Sequence, residues 1–285
     1  MTETRTLMAR ILSAAGVAGR SARRPLVGET MAPRELDEAA LREAWGFRGG
    51  FVDLKPEVAP EDDYRAFCAT VRRGALLWRM RDERGELRAM IMAIVEPGEH
   101  AGRAYLRLEF EYAFFDPAFR RSFASRLMFI STIARVLMQA KGRPVYLVAA
   151  TYPAGASSLG EYFPLWMPRA DAGMSVWERG LRAAIGGTCK GYAPSTGLVE
   201  MRTLPRERRR PPTGQLARAS WDAYMRCCPR WAEGLTPLCL ARVGVAGFVR
   251  STLAQVPGLL VRDVMPGRAR GRRPETTPGR SRVSR

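Results

Sequence analysis

Residues 104–153 read AYLRLEFEYAFFDPAFRRSFASRLMFISTIARVLMQAKGRPVYLVAATYP, and the fold turns on how that run divides. Leu106, Leu108, Phe110, Tyr112 and Phe114 fall on even positions, with Arg107, Glu109 and Glu111 between them. Alternation with a period of two is what a half-buried strand requires, so 104–115 is predicted as a strand with those five chains on one face. Asp116-Pro117 breaks it. Phe123, Leu127, Ile130, Ala134, Leu137 and Met138 then recur at three- and four-residue spacing before Gly142, which predicts a helix of about six turns. PVYLVAATYP follows as a buried strand. Strand, helix, strand implies a sheet with a crossover helix packed on it.

Upstream, GALLWRMRDERGELRAMIMAIVEP (74–97) predicts a β-hairpin: two apolar runs joined at Asp82-Glu83-Arg84-Gly85, with a glycine placed for the turn. PRELDEAALREAW (33–45) and YRAFCATVRRG (64–74) have helical spacing. Downstream, GASSLGEYFP suits a short helix, MSVWERGLRAAIGG a longer one, and YAPSTGLVEMRTLP holds a strand. ASWDAYMRCCPRWAEG predicts a helix that stops near Pro229, and LTPLCLARVGV is strand-like. The expected class is α/β (α+β), a mixed, mostly antiparallel sheet flanked by helices, with basic termini of disordered composition. Five parts are expected: a basic arm over 1–30, a core over 31–205, a linker over 206–216, a helical and strand extension over 217–261, and an arginine-rich tail over 262–285.

The 46 basic and 28 acidic residues give the 285-residue chain a net charge of +18. All but Lys55, Lys141 and Lys190 of the basic residues are arginine, a composition typical of GC-rich bacterial coding. A positive surface favours anionic partners: nucleotides, nucleic acid, acyl-CoA or acidic lipid. The charge concentrates in RTLPRERRR (202–210) and in the Pro- and Gly-rich tail. Such a tail offers weak anion or nucleic-acid contact, although no nucleic-acid module accompanies it.

Several chemistries are disfavoured. Five cysteines (Cys68, Cys189, Cys227, Cys228, Cys239) without a CxxC pair fit reduced thiols and a cytoplasmic setting. His100 is the only histidine, which argues against zinc and against Ser-His or Cys-His catalysis. It sits in EPGEHAGR and reads as a surface-loop residue. The most apolar stretch, 243–261, is interrupted by Arg250, Gln255 and Pro257, so it predicts a core or interfacial helix and not a membrane span. Residues 1–24 can form an amphipathic helix using Leu7, Met8, Ile11, Leu12 and Ala15. Cys227 and Cys228 read as packing residues. Trp221, Tyr224 and Trp231 read as an aromatic cluster closing a C-terminal lobe.

The element order (hairpin, polar-faced strand, D-P-x-F-R turn, long helix, strand, short aromatic helix) resembles the core of the GNAT acyltransferase superfamily over about residues 50–205. FDPAFRRSFASRLM is similar to that superfamily's acyl-CoA motif, [Q/R]-x-x-G-x-[G/A] at a strand-to-helix junction. Arg120 keeps the first position; Phe123 and Ser125 stand where glycine or a small residue belongs. The resemblance implies acyl-CoA as donor and an amine or hydroxyl acceptor. It places the diphosphate on Arg120, Arg121, Ser122, Phe123, Ala124, Ser125 and Arg126. Amides at a helix N-terminus are unsatisfied donors backed by the dipole, and arginines add charge-assisted contacts. It also implies Glu109 or Glu111 as general base and Tyr162 as the acid near sulfur; the alternatives are sheet-surface ion pairs and aromatic packing. Ser157 and Ser158 read as helix-cap residues. Loss of both motif glycines leaves open a non-catalytic module that binds an anionic ligand or a protein. No metal is expected.

Overall fold

The computed structural model describes residues 20–21, 24–25, 27–117, 123–168, 173–206, 211–212 and 215–252; of 20–31, 123–128 and 216 it describes the backbone alone. Eight strands make the main sheet: β1 (Val27–Met31), β3 (Leu76–Arg81), β4 (Leu87–His100), β5 (Arg103–Phe115), β6 (Val145–Ala150), β7 (Tyr192–Ala193), β8 (Leu198–Glu200) and β10 (Leu235–Val243). Their order is β1-β3-β4-β5-β6-β10-β8-β7. Every neighbouring pair is antiparallel except β5 and β6, which run parallel and are joined by helix α3 (Phe123–Gln139). A second, two-stranded sheet pairs β2 (Val52–Leu54) with β9 (Thr203–Pro205). The fold is thus the mixed, mostly antiparallel α/β sheet that the patterning predicts.

The hairpin turn falls where expected. The Asp82 carboxylate accepts from the amides of Arg84 (2.9 Å) and Glu86 (3.1 Å), while Gly85 takes the left-handed φ of 77° that closes the turn. The helices form two layers. On one face α3 packs Ile130, Ile133, Ala134 and Val136 against Leu106, Leu108, Val145 and Leu147. On the other, α1 (Glu38–Gly49) and α2 (Pro60–Arg73) cover Leu77, Met90, Met92 and Ile94, while α5 (Val176–Thr188) covers Tyr146, Val148, Leu238 and Leu240. Apolar burial of this kind supplies most of the stabilisation of any such core. A buried ion pair locks α1 to α2: Arg48 donates to both Asp63 oxygens (2.6 and 3.1 Å), and Trp45 Nε1 donates to the same carboxylate (2.8 Å).

Two sequence expectations change. Residues 217–261 were expected as an extension outside the core, but β10 lies inside the main sheet, paired along its length with β6. The alternating run in β5 does not keep one face. Phe114 pairs with Met90 and Glu111 with Met92, so three steps on β5 match two on β4. The extra residue is a β-bulge, and Tyr112 adopts a positive φ of 54° there. Leu106, Leu108 and Phe110 therefore face α3, whereas Tyr112 and Phe114 face α1 and α2. The amphipathic helix expected in 1–24 and the tail from 262 lie outside the described residues.

Candidate active site

Helix α3 forces a feature on the sheet. The parallel pairing of β5 with β6 covers only Leu106–Glu109 against Val145–Val148. Beyond it β5 runs on to Phe115 beside β4, and Ala149 and Ala150 turn away with β10. The two strands part, and a cleft of about 780 Å³ occupies the gap. Phe110, Phe115 and Phe129 line it from the α3 side; Phe47, Phe51 and Phe114 line it from the α1 side. One cavity bounded by both faces of a sheet requires a break between strands, and the break is here. Such a volume falls within the range of small-molecule sites, roughly 300–1,000 Å³.

Helix α4 (Pro153–Gly160) forms one wall, starting directly after β6. Its Ser157 and Ser158 hydroxyls donate to the carbonyls of Pro153 (2.8 Å) and Ala154 (2.9 Å), so they back-bond within the helix and do not cap it. Tyr162, just past α4, lines the cleft and packs its ring 4.8 Å from Phe129. Tyr152 lines it too, and its hydroxyl donates to the Thr203 carbonyl, which ties the cleft wall to β9. Burial raises the Tyr152 hydroxyl above the ordinary phenol value.

The two strand carboxylates behave differently. Glu109 is buried, and Arg107 holds it through Nε at 2.7 Å and through its terminal nitrogen. Glu111 is half-buried beside the bulge, and burial pushes its carboxyl up to about 7. The Glu109 charge adds to that rise; Arg73, Arg107 and Arg48 oppose it. Neither carboxylate lines the cleft itself, although Phe110 and Ala113, on either side of Glu111 and Tyr112, do. Of the predicted diphosphate residues, Arg120, Arg121 and Ser122 lie outside the described residues. Phe123, Ala124, Ser125 and Arg126 belong to the first turns of α3, described as backbone only.

Some lining residues carry no local signal in the sequence. Phe47 and Phe51 come from α1 and the residues after it; Trp221, on α6 (Gln215–Cys227), and Trp231 come from the C-terminal part. Long-range packing brings them to the cleft, so only Tyr224 and the cysteines of that aromatic cluster are plain core. Tyr224 is fully buried, and the Cys227 and Cys228 thiols point to the carbonyls of Pro168 (2.9 Å) and Leu235 (3.3 Å). His100 sits at the β4–β5 turn with its ring 5.5 Å from that of Trp177, far along the hairpin from the cleft. All five cysteines are free. Among the described residues, no group of three or more His, Cys, Asp or Glu stands together as a metal site, and no helix is long and apolar enough to cross a membrane.

No protein-family model matches this chain, and no curated protein does. Solved structures that this chain matches in part include a probable N-acyltransferase of Enterococcus faecalis V583, 12% identical, with a TM-score of 0.36 over 50% of this chain and 35% of that one. An acyl-CoA N-acyltransferase of Pseudomonas aeruginosa is 15% identical, with a TM-score of 0.33 over 49% of this chain and 87% of that one. An acetyltransferase of the GNAT family from Staphylococcus aureus Mu50 is 12% identical, with a TM-score of 0.34 over 53% and 94%. These likenesses cover about half of this chain at 12–15% identity, and the chain spans about a third of the length of the Enterococcus faecalis protein.

Proposed function

We propose that this chain transfers an acyl group from a coenzyme A thioester to an amine or hydroxyl acceptor, in the cleft where β5 and β6 part. The parting strands carry the reading. Past Glu109 the β6-facing edge of β5 has no strand partner among the described residues, so its main-chain donors and acceptors border the cavity. A linear molecule with amide groups, such as the pantetheine arm of coenzyme A, fits such an edge as an added strand would. The cleft is large enough for it, and α3 begins within a few residues of the lining residue Pro117, so its N-terminus is the proposed seat of the diphosphate, with Arg120, Arg121 and Arg126 as the charged residues the sequence offers for it.

In this reading Glu111 is the base. A carboxyl near 7 is half ionised at neutral pH and is matched to accept a proton from an attacking amine or hydroxyl, through a water because it stands beside the cleft. The acceptor's N or O forms the new bond to the acyl carbon, and the C–S bond breaks. Tyr162 donates its hydroxyl proton to the leaving sulfur. Glu109, held by Arg107, is a positioning residue that keeps the Glu111 carboxyl high. The test is thermal unfolding with acyl-CoA esters at millimolar concentration. Binding raises the melting temperature by mass action, and Arg120→Ala with Arg121→Ala reduces the rise. No rise with any ester overturns the proposal.

A further inference from the structure

Phe47, Phe51, Phe110, Phe114, Phe115 and Phe129 all line the cleft, and none of the six is fully buried. Apolar surface gathered in one concavity is unfavourable in water and is stabilised by an apolar occupant. The lining's charged groups are Arg88, Asp116, Glu161 and Arg206, and Arg88 pairs with Asp116 at 3.4 Å. Beside them, between β4, β5 and α3, Leu87 and Ile91 (7% and 2% exposed) and the rings of Phe110, Phe115 and Phe129 form an apolar patch. Charged groups and an apolar patch in one cleft are the complement of a molecule with a polar head and a hydrocarbon tail.

We infer that the branch lined by Leu87, Ile91, Phe110, Phe115 and Phe129 receives the hydrocarbon tail of the donor, so that the donor is a medium- or long-chain thioester and not acetyl-CoA. The inference rests on the acyltransferase reading and names its donor class. The tail lies on the α3 side because Glu109 and Glu111 stand on the opposite face of β5 from Phe110, which assigns that opposite face to the acceptor.

Isothermal titration of the full chain with coenzyme A, acetyl-CoA, octanoyl-CoA, dodecanoyl-CoA and free dodecanoate separates the outcomes. The expected result is an affinity that rises by about fourfold per added methylene until the branch is full, the equivalent of ~0.8 kcal/mol for each CH2 buried. Binding of coenzyme A and acetyl-CoA with no gain for the longer esters overturns the chain-length inference and leaves the acyltransferase reading standing. No binding by any coenzyme A species, with or without binding of dodecanoate, overturns both. Phe115→Trp and Phe129→Trp narrow the branch and are expected to cut the gain from octanoyl onward. If both variants fold, by circular dichroism, and the full gain survives in each, the branch assigned here is wrong. Should either fail to fold, the ester series on the unaltered chain still decides.

Discussion

Replacing Glu111 with glutamine tests the electrostatics of the bulge directly. The carboxyl rises from an ordinary 4.5 to about 7 because burial penalises its charged form and Glu109 repels it. A raised acid favours folding while it stays protonated. Relative to an uncharged residue, the wild type therefore loses nothing below about pH 4.5, loses stability progressively between 4.5 and 7, and carries the full cost above 7. At 1.36 kcal/mol per pH unit the span from 4.5 to about 7 amounts to about 3 kcal/mol, an upper figure for a half-buried group. Urea unfolding of Glu111→Gln and wild type at pH 4.5 and pH 8.5 reads the difference. The two proteins should match at the lower pH, and the variant should be more stable by up to about 3 kcal/mol at the higher. Any uncharged loss of packing shifts both values equally and cancels. Parallel pH dependence in the two proteins would refute the assignment of a neutral-range carboxyl to Glu111. With acyl transfer as the readout, the same substitution should remove the rise in rate centred near pH 7.

Other predictions concern stability and the site. Arg48→Ala strands the buried Asp63 carboxylate, with Trp45 as its remaining side-chain donor among the described residues, and should cost about 3–5 kcal/mol in chemical unfolding, whereas Arg48→Met with Asp63→Leu should cost far less. Ile133→Ala, at a side chain with no exposure between α3 and β5, should cost about 2–5 kcal/mol by the same measurement. Ala101 is exposed at a φ of 47° in the β4–β5 turn, so Ala101→Gly should raise the unfolding free energy by about 0.5 kcal/mol, the relief of left-handed strain less the added chain entropy. Tyr162→Phe should lower the rate of acyl transfer while circular dichroism stays unchanged, because the ring packing against Phe129 is retained. An unaltered rate would remove Tyr162 as the acid.

How the chain divides into elements was legible in local pattern. The turn at Asp82–Gly85, the strand before Asp116 and the crossover helix after it follow from alternation, helical spacing and turn chemistry, which act over a few residues. Tyr162 was named through the family resemblance and not through local pattern, and it lines the cleft. The bulge was not legible, since LEFEYAFF alternates through residue 112 without a break. An extra residue at Tyr112 is fixed by β4 on one side and by the ring of Phe67, 4.8 Å away on α2, on the other. The placing of β10 was equally hidden: nothing within LTPLCLARV says that its partner is β6, about ninety residues earlier.

Sequence alone thus determined the kinds of elements, their order and the parallel β5–α3–β6 crossover, because backbone propensity and apolar period are short-range properties of the chain. Tertiary structure decided where β5 and β6 stop pairing, which phenylalanines surround the resulting cleft, and how far Glu111 departs from an ordinary carboxyl. Those depend on neighbours distant in sequence, since burial and charge repulsion act through space and not along the chain.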